Sequence, residues 1–250
     1  MIKFYSNNLL ETSLFSATSE NALFPVLNIM DYRRSKVYRS NSNSSSIVMD
    51  FGSMKEMDSI IIVDNPRSGF GFNSASIEFS NDGINYFNNT IVNINHTHGF
   101  AHAEFDLINY RYARLNLSSH LAYCEVSNIF VGKKISFESG MGIDLGWSYK
   151  DKELSMVKEN RYGQKFIDKI TRQKEINFSI RSMNKDELDQ IFEIYDLKSS
   201  ISPFFARIGC SDMANDIDRF AGMFFLNNIP QITNKSFGLY DISMTIEEAM

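Results

Sequence analysis

From residue 75 to residue 87 the chain reads ASIEFSNDGINYF, and Ala75, Ile77 and Phe79 alternate there with Ser76, Glu78 and Ser80. A period of two marks a strand with one buried face. Asn81, Asp82 and Gly83 then turn the chain, because Asp-Gly supplies the positive-φ position that a tight hairpin needs. Tyr86 and Phe87 are the next apolar anchor. Comparable runs lie upstream, IVMDFG at 47–52 and SIIIVDN at 59–65, and downstream, YARLNLSS at 112–119 and CEVSNIFVG at 124–132. Short strands separated by turn residues, without a helical period among them, predict an antiparallel sandwich.

Near residue 135 the pattern changes. A connection with Gly140, Gly142 and Gly146 leads to the only tryptophan, Trp147, and then to two long charged strands, 147–158 and 165–181, with a turn at 160–164. The second strand ends in clean alternation at Ile176, Phe178 and Ile180. One helix is predicted next: Asn184 and Glu187 form a capping box, and Leu188, Ile191, Phe192 and Tyr195 recur with helical spacing on one face. Strands follow at 204–208 and 221–227, and Tyr240, Ile242, Met244 and Ile246 alternate in the last. Residues 1–20 are polar with scattered Phe4, Leu9, Leu10 and Phe15, which reads either as an edge strand of the first domain or as an extended arm docking on a neighbouring subunit.

Composition narrows the picture. With 43% hydrophobic residues, among them 21 Phe and 11 Tyr, the 250-residue chain can fill one large core or two modest ones without staples. Cys124 and Cys210 fall in different predicted domains, so no disulfide is expected, and that usage suits a reducing compartment. No apolar run approaches the ~20 residues of a membrane span, and no signal-peptide core is visible. Acidic and basic residues are interspersed at a net charge of −5, so nucleic-acid binding is not expected.

The order of segments in the first half resembles the discoidin or coagulation-factor C-type domain. The residues that carry the resemblance are Leu27, Asn28, Asp31, Arg33 and Ser35, the strand ending Asp50-Phe51-Gly52, the Ser80-Asn81-Asp82-Gly83 hairpin, Ala113-Arg114-Leu115, and a closing strand ending at Gly132. The resemblance implies a galactose-binding-like jelly roll over 1–135, with glycans or lipids bound by loops at one end. In the loop DNPRSGFGFNS, Arg67, Phe70 and Phe72 are then the ligand-binding candidates; the other reading is that both rings pack on the sandwich rim or against a partner. Beyond a connection at 136–146, residues 147–250 resemble the barrel of phage tail-tube and distal-tail proteins, in which a β-barrel with a flanking helix forms rings and a long hairpin meets adjacent subunits. That implies a mainly β chain, jelly roll plus barrel with one short α-helix, and subunit contacts at Leu154, Val157 and Phe166 on the hairpin.

Chemistry for catalysis is missing from the sequence. No Gly-x-Ser-x-Gly, Walker, HExxH or CxxC motif occurs, and the acids Asp82, Asp216 and Asp218 have no evident pairing. His96, His98 and His102 invite a metal but lack a Cys or carboxylate partner at familiar spacing, so they read as surface or interface histidines. The run DMANDID at 212–218 lacks the Gly and closing Glu of an EF-hand. No cofactor is expected; calcium in the jelly-roll loops is compatible with the resemblance, yet no motif supports it. The expected function is a non-enzymatic structural protein of a bacteriophage tail, of the distal or minor tail type. It would form a trimeric or hexameric ring with other tail proteins, assemble in the host cytoplasm, end in the virion tail and carry an outward jelly roll for cell-surface glycan. The alternative is a soluble carbohydrate-binding module with an attachment domain.

Overall fold

A computed structural model describes residues 2–65, 68–95, 99–137, 148–153, 156–168, 172–198, 202–208, 220–228 and 230–249. The chain divides into two compact units, one of Phe4–Ile135 and one of Met1–Lys3 with Ser136–Met250. It is mainly β, built of antiparallel sheets with one α-helix among the described residues.

The strands are numbered along the chain, from β1 (Ile2–Tyr5). In the unit Phe4–Ile135 there follow β2 (Leu14–Ala17), β3 (Tyr38–Arg39), β4 (Ser44–Val63), β5 (Ser74–Ser80), β6 (Phe87–Ile91), β7 (Asn93–Asn95), β8 (Phe100–Ser118), β9 (Glu125–Val126) and β10 (Asn128–Gly132), and β11 (Ile135–Phe137) begins at its end. A seven-stranded sheet runs β10-β4-β8-β5-β6, with β2 beside β4 and β7 beside β8; β3 and β9 pair separately. The segments 47–52 and 59–65, expected as separate strands, are one 20-residue strand, and 112–119 is the end of a 19-residue strand.

These two long strands pair along their length, and their register breaks between Asp50 and Lys55 and again between Met57 and Ser59. Gly52, at φ +75°, takes the left-handed conformation at the first break. Before the breaks β4 is flanked by β2, and after them by β10, so one strand pair serves both layers of the sandwich. Ile47 and Met49 from the first part and Ile60 and Ile62 from the second enter the same core, with Ile77, Phe79 and Leu115. Each such side chain, fully buried, stabilises by roughly 1.5–3 kcal/mol.

In the other unit a sheet runs β11-β1-β16-β17-β19-β15-β12, with β18 beside β19. Its members are β12 (Ser148–Glu153), β15 (Arg172–Met183), β16 (Phe204–Ile208), β17 (Gly222–Leu226), β18 (Gln231–Ser236) and β19 (Leu239–Glu248), while β13 (Met156–Glu159) and β14 (Lys165–Asp168) form a ribbon of their own. β1 lies between β11 and β16 with Ile2 and Phe4 buried, so the first residues are an interior strand rather than an arm, while β2, in the same polar stretch, pairs only with β4 among the described residues and is the edge strand expected there. β12 and β15 pair from Ser148 with Asn177 to Glu153 with Arg172, and β13 and β14 extend the same hairpin to its turn. There Asn160 Oδ1 accepts the N–H groups of Tyr162 and Gln164 at 2.9 and 3.0 Å.

The helix α1 (Lys185–Lys198) carries the expected box: Asn184 Oδ1 accepts from the Glu187 N–H at 2.9 Å, and Glu187 accepts from the Asn184 N–H at 3.0 Å. Its buried face differs by one position from the expected one. Leu188, Ile191 and Ile194 are buried, whereas Phe192 is 43% exposed. The apolar spacing alone placed Phe192 inside, but the helix turns its i, i+3, i+6 line to the sheet.

Candidate functional site

The connection between β4 and β5 is tied at its start to the residue before β8 and at its end to the last residue of β8. The Asp64 N–H donates to Gly99 O at 3.0 Å and the Asn73 N–H to Ser118 O at 2.9 Å. Midway, the Glu125 N–H donates to Gly71 O at 3.3 Å. An added Cβ on Gly71 would stand 2.3 Å from the Glu125 Cβ, so only glycine permits this approach.

Glu125 is 2% exposed and carries a carboxylate. Its Oε1 accepts from Asn65 Nδ2 at 3.0 Å and Ser68 Oγ at 2.8 Å; its Oε2 accepts from Arg39 Nε at 2.8 Å and Nη2 at 2.5 Å. The antiparallel pair β3–β9 sets Arg39 directly opposite Glu125. The Arg39 guanidinium lies between two rings, 4.3 Å from the Phe24 centroid and 4.5 Å from that of Tyr123. Burial pushes the Glu125 carboxyl up, but the donors Asn65, Ser68 and Arg39 outweigh it, so the group sits below its ordinary range. A charge desolvated this way is kept only because its lone pairs are met.

A second pair braces the same connection. Arg34 forms an ion pair with Asp64, and Ser127 Oγ donates to Arg34 O at 2.8 Å. Burial raises the Asp64 carboxyl despite Arg34, so the two acids are displaced in opposite directions.

Of the residues singled out in the sequence, Phe72 is 2% exposed and belongs to the core, so it has no free face for a ligand. Phe70 is half-buried and meets Phe72 edge-on, with ring centroids 5.0 Å apart. Arg67 lies outside the described residues. So do Leu154, His96, His98, Trp147, Cys210 and the segment 212–218. The backbone puts Val157 opposite Ile167 and Phe166 opposite Lys158 in the β13–β14 ribbon. Among the described residues no group of three or more His, Cys, Asp or Glu is placed to hold a metal ion. Sequence reasoning missed Arg39 and Glu125; the one local signal was a carboxylate inside the apolar closing run CEV.

No protein-family model matches the sequence, and no curated protein does. Among solved structures, the chain is similar to CpGH89CBM32-5 from Clostridium perfringens in complex with GalNAc-β-1,3-galactose: 14% identity, TM-score 0.47, 50% of this chain and 99% of that one. It is also similar to the family 32 carbohydrate-binding module of C. perfringens NanJ in complex with galactose, at 14% identity and TM-score 0.44 over 54% and 100% of the two chains. A Streptococcus pneumoniae fucose-binding module matches at 11% identity and TM-score 0.44 over 53% and 99%. A Ruminococcus gnavus GH29 fucosidase matches over 53% of this chain but 28% of its own. The expected tail-tube likeness of the second half finds no support among these structures.

Proposed function

We propose that this chain is a non-catalytic glycan-binding protein whose Phe4–Ile135 unit takes the sugar at the loop end and whose other unit attaches it to a larger assembly. The observation that carries the reading is the β4–β5 connection, where half-buried Phe70 rests on buried Phe72 and the polar Asn65 and Ser68 are bonded to Glu125. Sugar recognition asks for an apolar face against the C–H side of a pyranose and a few fixed hydrogen-bonding groups around it. The discoidin-like order of the sequence implies a ligand at such loops, and Arg67 is the charged candidate that the sequence supplies in this connection.

The test is the whole chain against a broad panel of neutral and acidic glycans, followed by Arg67→Ala and Phe70→Ala. Loss of binding at an unchanged melting temperature supports the reading. A wild-type chain that binds nothing on the panel overturns it. Phe72→Ala should instead destabilise, by about 3–5 kcal/mol, because it empties a core position.

A second reading concerns what the other unit attaches to, and the hairpin favours it. Every residue of β12 is exposed, and the β13–β14 ribbon continues the hairpin outside the main sheet. Under this reading the chain is a structural component of a bacteriophage tail, ring-forming through Leu154, Val157 and Phe166, with the sugar-binding unit outward and the virion tail as its destination. Replacing Val157 and Phe166 with Asp should abolish multimers while leaving a folded monomer. Multimers that persist in light scattering would contradict the placement.

A further inference from the structure

The bonding of Glu125 is directional in a way that neither catalysis nor metal binding explains. One oxygen is given wholly to the β4–β5 connection, through Asn65 and Ser68, and the other wholly to Arg39. Its backbone N–H donates to Gly71 O, and its Cβ fills the space beside the Gly71 Cα. One residue of β9 thus holds the connection at Asn65, Ser68 and Gly71, on both sides in sequence of the position next to Phe70. Arg39 is itself clamped between Phe24 and Tyr123, so the anchor on which the connection hangs is fixed before any ligand arrives.

We infer that Glu125 is the positioning residue of the sugar-facing loop: through Asn65, Ser68 and Gly71 it holds Phe70 in the place from which it meets the sugar. The inference rests on the glycan-binding reading for its effect on affinity, and on the hydrogen bonds alone for its effect on loop order. A carboxylate suits the role because it accepts at both oxygens. Glutamine must turn an NH2 either toward Arg39, where it meets another donor, or toward Asn65 and Ser68, which must then reorient.

Two variants test it in the full chain. Glu125→Gln alters the anchor; Asn65→Ala with Ser68→Ala removes the loop's donors and leaves the Arg39 pair intact. In both, amide hydrogen exchange across 68–72 should accelerate while β4 and β8 keep their wild-type protection. The Kd for the best glycan of the panel should rise about tenfold, the scale of one lost hydrogen bond to a charged group. Should Glu125→Gln fail to fold, the double variant decides. Unchanged exchange at 68–72 overturns the inference, as does faster exchange with an unchanged Kd. A wild-type chain that binds no glycan while the variants loosen the loop sinks the glycan reading and leaves the anchoring intact.

Discussion

At the scale of single residues, the acids of the Phe4–Ile135 unit make stability depend on pH with a definite sign. Hydrogen bonds from Arg33 hold Asp31 at about 2 against the opposing effect of burial. Arg111 lowers Asp50 and Arg114 lowers Glu78 in the same way, and Glu125 is lowered by its three partners against its burial. A carboxyl whose folded pKa lies below its unfolded value contributes stability above the unfolded value, and that contribution is lost as pH falls through the folded one. Asp64, raised by burial, has the opposite sign: its protonation relieves the cost of a buried charge. Asp82 is lowered as well, chiefly by the N–H groups of Asn85 and Ile84, so five acids against one predict that the urea midpoint is flat near neutrality and falls between about pH 4 and about pH 2. A midpoint that rises on acidification would show that Asp64 outweighs the others. Since the Asp31 pair is exposed, the Asp50 and Glu78 pairs are half-buried and Glu125 is buried, Glu125→Gln should flatten the profile more than Asp31→Asn does.

At the scale of elements, order comes either from the segment itself or from its neighbour, and the two behave differently. The α1 cap is local: Asn184 and Glu187 satisfy each other's backbone N–H groups. Asn184→Ala should therefore cost about 0.5–2 kcal/mol, read as a lower denaturant midpoint. A change within error would mean that packing of Leu188, Ile191 and Ile194 alone holds the helix. Local order of this kind was legible in the sequence, as were the Asn160 turn and the alternation at Ile77 and Phe79 or Ile176 and Phe178. β18 was not, because QITNKS has no apolar alternation and is a strand only through its register with β19, from Gln231 opposite Ser243 to Ser236 opposite Leu239. The continuity of β4 was hidden by the polar stretch after Gly52, where the strand passes between layers and its side chains need not be apolar. The Arg39–Glu125 contact joins residues 86 positions apart through two-residue strands, too short to leave a periodic trace.

At the scale of the whole molecule, the unit that contains residues 136–250 is discontinuous. Met1–Lys3 belong to it, and β1 supplies an interior strand between β11 and β16. Its sheet is therefore completed by the first residues of the chain and the last hundred together, while the loop end that carries Glu125 and Phe70 is built wholly within Phe4–Ile135. Damage at Ile2, which belongs to the discontinuous unit, should reach that unit without reaching the loop end. Ile2 is fully buried, and Ile2→Asp puts a charge with no partner into that sheet, a change that costs several kcal/mol. Limited proteolysis of this variant should cut faster within 136–250 and leave a resistant fragment covering 4–135. If glycan is bound by the loop end, the variant should keep the wild-type Kd even as any multimer is lost, so that attachment and recognition separate in a single substitution. Equal resistance of both regions to protease would mean that the sheet tolerates the loss of its β1 core contact, and loss of sugar binding along with the second unit would show that the loop end depends on more than the residues that form it.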